Sequence, residues 1–464
     1  MKVLTLVLVC HSVYSSVTAF RRIYPPSGKV YIDEGNPGEP VFLTDYIERG
    51  AIKAGQNASQ VHGIHNGLKS HAGFLTVNKT CNSNLFFWYF PAEKNPETAP
   101  VVLWLQGGPG GSSLYGLFEE NGAIYISKDG SVKRREHYWS QVLNVIYIDN
   151  PVGTGFSFTE NKNCFAKDEN KVGEDLYSAL IQFFQLFPSL QKNDFFVSGE
   201  SYAGKYIPAI GYRIHKNNGI SKQKINLKGL AIGDGLCDPE NMMNYGDLLY
   251  QIGLIDSNAK QLFQNVEKKI VKLIQNGKYE KAFDTFDELL NGDMTPYHSL
   301  FYNSTGYSVY FNFLHNKEYS PYGDMDKFIQ KTSTRRKINV GNLTYHSGEE
   351  VEKYLKNDVM QSVKPWVEEL LEHYRVLFFN GQLDIIVAYP LTVNFLQKLE
   401  WSGAEIYKTA PRKQWYVGSE LAGYSKTAKG LTEVLVRNAG HMVPLDQPVW
   451  ALDLITKFVF GREL

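Results

Sequence analysis

The segment GESYAG, residues 199–204, places a serine among small residues, directly after the apolar run DFFVS and before a stretch with helical spacing. A strand, a tight turn and a helix in this order can lift the Oγ atom of Ser201 above the carboxyl edge of a sheet. The N-terminus of the following helix favours negative charge that develops there. The usual pattern has glycine where Ala203 stands, but any small side chain satisfies the steric requirement. The segment therefore predicts that Ser201 is a nucleophile.

A serine hydroxyl needs a base and a carboxylate before it can act as a nucleophile. In α/β-hydrolases these groups follow the serine in the order acid, histidine, each in a loop after a strand. Asp384 follows the strand-like run RVLFFNG, and His441 follows EVLVRNAG and precedes the last helix-like stretch. His441 is the one of eleven histidines with this placement. We therefore predict a catalytic triad of Ser201, Asp384 and His441.

Strand-like and helix-like segments alternate along most of the chain, which predicts a mostly parallel sheet with helices on both faces. Between residues 236 and 365 the pattern becomes more charged and helix-favouring, which is typical of an insertion. The predicted division is a signal peptide over 1–19, a first part of an α/β-hydrolase core over 20–235, a mainly helical insertion or cap over 236–365, and a second part of the core over 366–464.

The first residues have the features of a secretory signal. Lys2 precedes an apolar run from Val3 to Cys10, and Val17 and Ala19 fit a cleavage before Phe20. The apolar run is shorter than the roughly 18–20 residues that span a bilayer, so no membrane anchor is expected. This predicts a protein of the secretory pathway, either secreted or lysosomal.

Sequons and cysteines agree with that compartment. Without Cys10 three cysteines remain, Cys81, Cys164 and Cys237, which allow one internal disulfide and one leftover thiol. We predict glycosylation at the four sequon asparagines, Asn57, Asn78, Asn303 and Asn342.

Charge and motifs argue against several classes of partner. Lys+Arg and Asp+Glu both number 48, so the net charge is zero and nothing favours nucleic acid. His62, His65 and His71 lie in or near a glycine-containing loop without acidic or cysteine ligands, and GGPGGSS lacks the lysine of a phosphate-binding loop. We therefore expect no metal and no cofactor.

Five segments carry a resemblance that covers nearly the whole mature chain: LWLQGGPGGSS, DNPVGTGFSF, GESYAGKYIPAI, NGQLDIIV and GHMVPLDQP. Together they resemble the serine carboxypeptidase family, especially its vitellogenic-like branch and the venom serine carboxypeptidases of insects. The resemblance implies an α/β-hydrolase fold with a helical insertion. It also implies release of single residues from the C-termini of peptides or proteins through an acyl-enzyme at acidic pH.

The resemblance also implies roles for further residues. The N–H groups of Gly108 and Tyr202 would form the oxyanion hole. The terminal carboxylate of the substrate would be held by Gln106, Gly107 and Glu200, with Glu120 beside Glu200. The pocket for the leaving residue would be lined by Tyr115, Glu119 and Met442.

Glu200 raises a physical question, because an ionised carboxylate next to the nucleophile would repel both an oxyanion and the substrate's carboxylate. Two close carboxyl groups cannot easily both ionise, so one of Glu120 and Glu200 is expected to keep its proton. A neutral Glu200 can donate a hydrogen bond to the substrate. Two departures from the wider family stand nearby: Gln106 replaces the usual Asn, and Gly111 replaces a Cys found in many members.

Other hypotheses stay open at this point. The same triad could transfer an acyl group to an alcohol or amine, and a secreted binding protein could keep a triad without using it. The sequence also leaves open the preferred C-terminal residue, the pairing of the cysteines, processing of the insertion and whether the protein forms a homodimer.

Overall fold

The computed structural model describes residues 35–317 and 319–464. The predicted signal peptide, residues 1–19, lies outside the described residues. Within the described part of the chain, none of the helices is both long and apolar enough to cross a lipid bilayer.

Eleven of the described strands form one mixed sheet, and four shorter strands form two separate pairs. The strands are β1 Gln60–Val61, β2 Ser70–Asn78, β3 Ser83–Phe90, β4 Val101–Leu105, β5 Ile124–Ile126, β6 Val132–Arg134, β7 Asn144–Ile148, β8 Thr154–Gly155, β9 Phe195–Glu200, β10 Leu227–Gly233, β11 His346–Ser347, β12 Arg375–Gly381, β13 Lys413–Val417, β14 Glu420–Ala428 and β15 Leu431–Val436.

The order of the large sheet is β1-β2-β3-β7-β4-β9-β10-β12-β15-β14-β13. Neighbouring strands are parallel through the centre of the sheet, from β7 through β4, β9, β10 and β12 to β15. The strands outside this central group pair antiparallel. The carboxyl ends of the parallel strands therefore meet at one edge of the sheet. The prediction of an α/β-hydrolase fold with a mostly parallel central sheet is confirmed.

Helices cover both faces of this sheet. The α-helices are α1 Thr44–Glu48, α2 Ile52–Ala58, α3 Glu169–Leu186, α4 Ala203–Asn218, α5 Tyr245–Gln251, α6 Ser257–Gln275, α7 Tyr279–Phe286, α8 Leu300–Thr305, α9 Met325–Ile329, α10 Thr332–Lys337, α11 Glu349–Val359, α12 Lys364–Leu371, α13 Tyr389–Leu396, α14 Ala404–Thr409, α15 Val443–Asp446 and α16 Pro448–Val459. Two π-helical turns lie at Gly116–Glu120 and Asp287–Asn291, and short 3₁₀ turns lie at Trp139–Gln141, Lys162–Cys164, Pro188–Leu190 and Pro239–Asn241.

The residues of β9 show how the sequence produces these layers. Successive side chains of a strand point to opposite faces, so a strand buried on both sides is apolar throughout. Phe195 and Val197 pack in the core formed with α3 and α4, whereas Phe196 packs in the core that includes α16. The sheet thus has a separate apolar core on each face, and its strands are held rigidly in place.

The chain between β10 and β12 contains α5 to α12 and the short strand β11. The division of the chain at residues 236 and 365 stays a prediction. The structure also shows how the cysteines pair, which the sequence left open: Cys81 and Cys164 form a disulfide, and Cys237 is a buried free thiol.

Candidate active site

Ser201 occupies a tight turn between β9 and α4, at the carboxyl edge of the sheet. Its backbone φ is +62°, a left-handed conformation that non-glycine residues adopt at an energetic cost. Small neighbours are needed because the turn is crowded: a Cβ atom at Gly199 would lie 2.1 Å from the carbonyl oxygen of Leu105 and 3.0 Å from the Cβ of Ala203. Residue 199 must therefore be glycine, and its lack of a Cβ leaves room for the Cβ of Ala203, which stands where the usual pattern has glycine.

Asp384 and His441 form a buried pair. The Nδ1 atom of His441 lies 2.9 Å from Oδ2 of Asp384, and both residues are only 1% exposed. The carboxylate also accepts hydrogen bonds from the backbone N–H groups of Ile386, at 3.0 Å, and Val387, at 3.1 Å. Because an ionised carboxylate can only accept, Nδ1 carries the proton in this arrangement and Nε2 is left as an acceptor.

Ser201, Asp384 and His441 follow β9, β12 and β15, respectively, so they share one edge of the sheet. The structure brings Asp384 and His441 into contact, but Nε2 of His441 makes no hydrogen bond with any described residue. No hydrogen bond therefore joins Ser201 to His441 here. In substrate-free enzymes such bonds are often long and tighten when the substrate binds.

The glycine-rich loop after β4 passes directly against the serine turn. A Cβ atom at Gly107 would lie 2.6 Å from both the Cβ of Ser201 and the backbone nitrogen of Tyr202. Gly108, with φ +120°, lines a cavity of about 60 Å³ together with Ser201 and Tyr202. In the described part of the chain, the N–H groups of Gly108 and Tyr202 donate to no carbonyl. Both are thus available to a ligand oxygen beside Ser201.

Gln106 and Glu200 form a second buried polar contact next to the serine. The Nε2 group of Gln106 donates to Oε1 of Glu200 at 2.7 Å, and the indole N–H of Trp104 donates to Oε1 of Gln106 at 2.9 Å. The bond from Trp104 fixes the amide so that its NH₂ group faces Glu200. The other carboxyl oxygen of Glu200 receives no donor from the described residues.

Glu120 and Glu200 are fully buried carboxyl groups that interact with each other. Burial raises the pKa of Glu120 to about 8. Burial also raises the pKa of Glu200 well above its usual range, and the charge of Glu120 adds to this effect. At mildly acidic pH the pair therefore retains protons. Glu120 ends the π-helical turn Gly116–Glu120, a rare element that is often found at functional sites.

The three predicted pocket residues, Tyr115, Glu119 and Met442, line one cavity of about 290 Å³. Glu119 is buried, its Oε2 accepts a hydrogen bond from Ser320 Oγ at 2.9 Å, and burial raises its pKa to about 7. The other ionisable side chains of the cavity are those of His315, Lys317, Asp324, Asp326 and Asp446, along with the tyrosines Tyr319 and Tyr322. Among its charged side chains, the acids therefore outnumber the bases, whereas most of the remaining wall is aromatic or apolar.

The sequence analysis missed the segment around Phe311, which supports the loops that carry Asp384 and His441. The backbone N–H of His441 donates to the carbonyl of Phe311 at 2.6 Å, and that of Ile385 donates to the carbonyl of Tyr310 at 3.1 Å. The ring of Phe311 lies 5.4 Å from that of His441. Only the aromatic run YSVYFNF hinted at this role, and such a run is equally typical of a core.

Comparison with known proteins now identifies the family. A sequence profile of the serine carboxypeptidase family matches residues 62–461, most of the chain. The protein is a serine carboxypeptidase. It is 56% identical over 452 residues to the venom serine carboxypeptidase of Apis mellifera, with 97% of each chain covered. It is 50% identical to the probable serine carboxypeptidase CPVL of Homo sapiens, with 92% of this chain and 91% of that protein covered.

Two further comparisons extend this result. The vitellogenic carboxypeptidase of Aedes aegypti is 48% identical, with 93% of this chain and 92% of that protein covered. The crystal structure of KEX1(DELTA)P, a prohormone-processing carboxypeptidase from Saccharomyces cerevisiae, has a TM-score of 0.71 at 24% identity, covering 88% of this serine carboxypeptidase and 95% of that chain. At this identity the likeness shows the fold alone. The predictions of the family and of a serine-type carboxypeptidase are confirmed, and the roles of single residues stay predictions.

Proposed function

We propose that this carboxypeptidase releases one residue at a time from peptide C-termini through an acyl-enzyme on Ser201. Ser201 Oγ attacks the last peptide carbonyl while its proton passes to Nε2 of His441. The N–H groups of Gly108 and Tyr202 stabilise the oxyanion. When the C–N bond breaks, His441 returns the proton to the leaving amine. Water, deprotonated by His441, then hydrolyses the ester and restores Ser201.

One observation supports the restriction to C-termini: the carboxyl groups of Glu120 and Glu200 are buried next to the nucleophile, and burial raises the pKa of both. A protonated Glu200 and the amide of Gln106 can donate hydrogen bonds to a carboxylate, together with the backbone N–H of Gly107. Charge-assisted bonds of this kind are strong in a buried site. An internal peptide bond offers no carboxylate at that position, so the site selects the free end of a chain.

The same pair explains why acidic pH should favour the reaction. Raising the pH removes the proton that Glu120 and Glu200 share, and the resulting anions repel the substrate's carboxylate. Since burial raises the pKa of Glu120 to about 8, kcat/KM for free-acid peptides should fall on the alkaline side. His441 acts as the base only in its neutral form.

The cavity lined by Tyr115, Glu119 and Met442 is proposed to hold the side chain of the leaving residue. Met442 directly follows His441 in the chain, and Phe311, whose ring lies 5.4 Å from that of His441, also lines the cavity, so the cavity adjoins the imidazole. Its volume of about 290 Å³ is sufficient for a large side chain.

The protein is proposed to pass through the secretory pathway. The names of the honey bee relative, a venom protein, and of the mosquito relative, a vitellogenic carboxypeptidase, support this. The disulfide between Cys81 and Cys164 fits an oxidising compartment. Three of the proposed glycosylation sites, Asn57, Asn303 and Asn342, are exposed. The fourth, Asn78, is half-buried and accepts a hydrogen bond from the backbone N–H of Cys81.

The test uses purified protein, blocked dipeptides with a free C-terminus and their C-terminal amides at pH 5. We expect stepwise release of the last residue of the free acids, weak activity on the amides and no activity in Ser201→Ala. Equal activity on free acids and amides would contradict the carboxylate site. Transfer of the acyl group to an added amine in preference to water would favour an acyltransferase.

A further inference from the structure

Asp234 is a buried acid that the proposed mechanism does not use. It directly follows β10, which lies between the strand that precedes Ser201 and the strand that precedes Asp384. Its side chain is 0% exposed, and its backbone φ of +40° lies in the left-handed region. Asp and Asn tolerate this region better than most residues. A buried acid in an uncommon backbone conformation at this edge of the sheet needs a physical explanation.

The contacts of Asp234 point toward the triad. Its Oδ1 accepts a hydrogen bond from the backbone N–H of Gly381 at 3.0 Å, and its own N–H donates to the carbonyl of Phe379 at 2.8 Å. Asp234, Asp384 and His441 each offer one side-chain atom, and these three atoms lie within 4.8 Å of one another. The second oxygen of Asp234, Oδ2, receives no N–H or O–H donor from the described residues.

Two buried carboxyl groups this close cannot both be ionised without a large cost, so one must hold a proton. The hydrogen bonds decide which one. The carboxylate of Asp384 accepts three bonds, from Ile386, Val387 and His441, whereas that of Asp234 accepts one. Hydrogen bonds to a carboxylate stabilise its ionised form, so Asp384 is the anion and Asp234 is the acid.

The surrounding charges agree with this assignment. Burial raises the pKa of Asp234 well above its usual range, and the charge of Asp384 raises it further. Among the described residues, the titratable groups that act on Asp234 are Asp384, the proposed neutral acid Glu200 and the imidazole of His441.

We infer that Asp234 is a neutral positioning residue, which donates a hydrogen bond from its carboxyl group to Asp384 and so orients the acid of the triad. The inference rests on the proposed function, because it assigns a role through Asp384 and His441. A neutral donor also draws charge from Asp384, so the imidazolium form of His441 is stabilised less. The neutral form of His441, which accepts the proton of Ser201 in the proposed mechanism, is thereby favoured.

Two substitutions separate this role from alternatives. Asp234→Asn keeps an acceptor for Gly381 and supplies an NH₂ donor to Asp384, so kcat and KM should stay within about threefold and the acidic limb of the pH profile should not move. Asp234→Leu has a similar size but no donor. Because a hydrogen bond to a charged group contributes substantially, kcat should fall by about tenfold or more with little change in KM, and the acidic limb should move to higher pH.

The outcomes that overturn the inference are distinct. If Asp234 were ionised, Asp234→Asn would remove a negative charge near His441 and move the acidic limb to lower pH. If Asp234 only supported the fold, a folded Asp234→Leu would keep the wild-type profile. A metal ion held by the same three residues would make the wild-type activity sensitive to a chelator. Each of these results would overturn the assignment.

A second readout does not depend on turnover or on the leucine variant. The imidazole pKa of His441, followed by NMR in a Ser201→Ala background, should be unchanged by Asp234→Asn. A lowered value would overturn the inference. An inactive wild-type enzyme would instead overturn the proposed function, whereas an active wild type with a shifted Asp234→Asn profile would overturn this inference alone.

Discussion

The edge of the sheet and the cavity proposed for the leaving residue are built in different ways. At the edge, Ser201, Asp384 and His441 each follow a buried parallel strand whose side chains pack on both faces. In the pocket, the walls come mostly from irregular chain between α8 and α9, with contributions from a π-helical turn, the start of α9 and the short helix α15. The residues proposed for the reaction therefore follow rigid strands, and much of the wall proposed to contact the variable part of the substrate lies on loops. This is the arrangement in which selectivity can change while the reaction stays the same.

The largest loss of activity is expected for substitutions at the edge of the sheet. Ser201→Ala should lower kcat by about 10⁴-fold or more, because the nucleophile has no substitute within the site. His441→Ala should have a similar effect, and the double variant should be no worse than either single one, since the two residues act as a unit. Steady-state kinetics on a blocked dipeptide at pH 5 measures this. Additive losses in the double variant would show that the two residues act separately.

The next largest loss of activity is expected at Glu200, which directly precedes Ser201 and interacts with Glu120 of the π-helical turn. Glu200→Ala should lower kcat/KM for free-acid peptides by about 10–100-fold, because a charge-assisted hydrogen bond to the carboxylate is lost, with a much smaller effect on peptide amides. Glu200→Gln is the matched variant. Its amide donates at every pH, so the fall in kcat/KM at alkaline pH should become shallower than in the wild type.

A single comparison decides whether the Glu120–Glu200 pair causes the fall in kcat/KM at alkaline pH. The pH profiles of the wild type and of Glu200→Gln are measured on the same free-acid peptide and on its amide. Identical slopes for the free acid would show that another group titrates on the alkaline side.

The two regions also differ in how far the sequence predicts them. The positions of Ser201, Asp384 and His441 could be predicted because each follows an apolar strand, and the ends of parallel strands meet at one edge. Asp234 satisfies the same rule, so the sequence contained the signal for it. By contrast, the contact between Glu119 and Ser320 joins residues 201 positions apart in irregular chain. No periodic pattern specifies such a contact, and it depends on tertiary packing alone.

The acidic pocket should make selectivity depend on pH. Burial raises the pKa of Glu119 to about 7, so this side chain is neutral at pH 5 and becomes an anion between pH 6 and 8. The ratio of kcat/KM for a peptide ending in lysine to that for one ending in methionine should therefore rise by about 3–10-fold over this range. Because the ratio compares two free acids, the titration of Glu120 and Glu200 cancels. In Glu119→Gln the ratio should rise less than in the wild type, because Asp326 of the same cavity, whose pKa burial also raises to about 7, still titrates. A rise equal to that of the wild type would assign the effect to the other acids of the pocket.

The smallest effect concerns stability. Burial raises the pKa of Glu119 and Asp149 to about 7 and that of Glu120 to about 8, whereas unfolded carboxyl groups titrate near pH 4. The folded protein therefore binds more protons than the unfolded chain in the window up to pH 8, and its stability falls as the pH rises through that window. Histidines oppose this at lower pH, since burial lowers the pKa of His71 to about 4, but this contribution ends near pH 6.5. Between pH 6.5 and 8 the Tm should fall by about 2–5 °C.

Glu120→Gln separates the contribution of the active site from that of the rest of the core. The variant cannot ionise at this position, so its Tm should fall less steeply than that of the wild type between pH 6.5 and 8. The measurement is thermal unfolding at fixed ionic strength across that window. A Tm that stayed constant or rose in the wild type would contradict the raised pKa values on which the acidic pH preference depends. The stability test therefore examines the protonated carboxyl pair without any substrate.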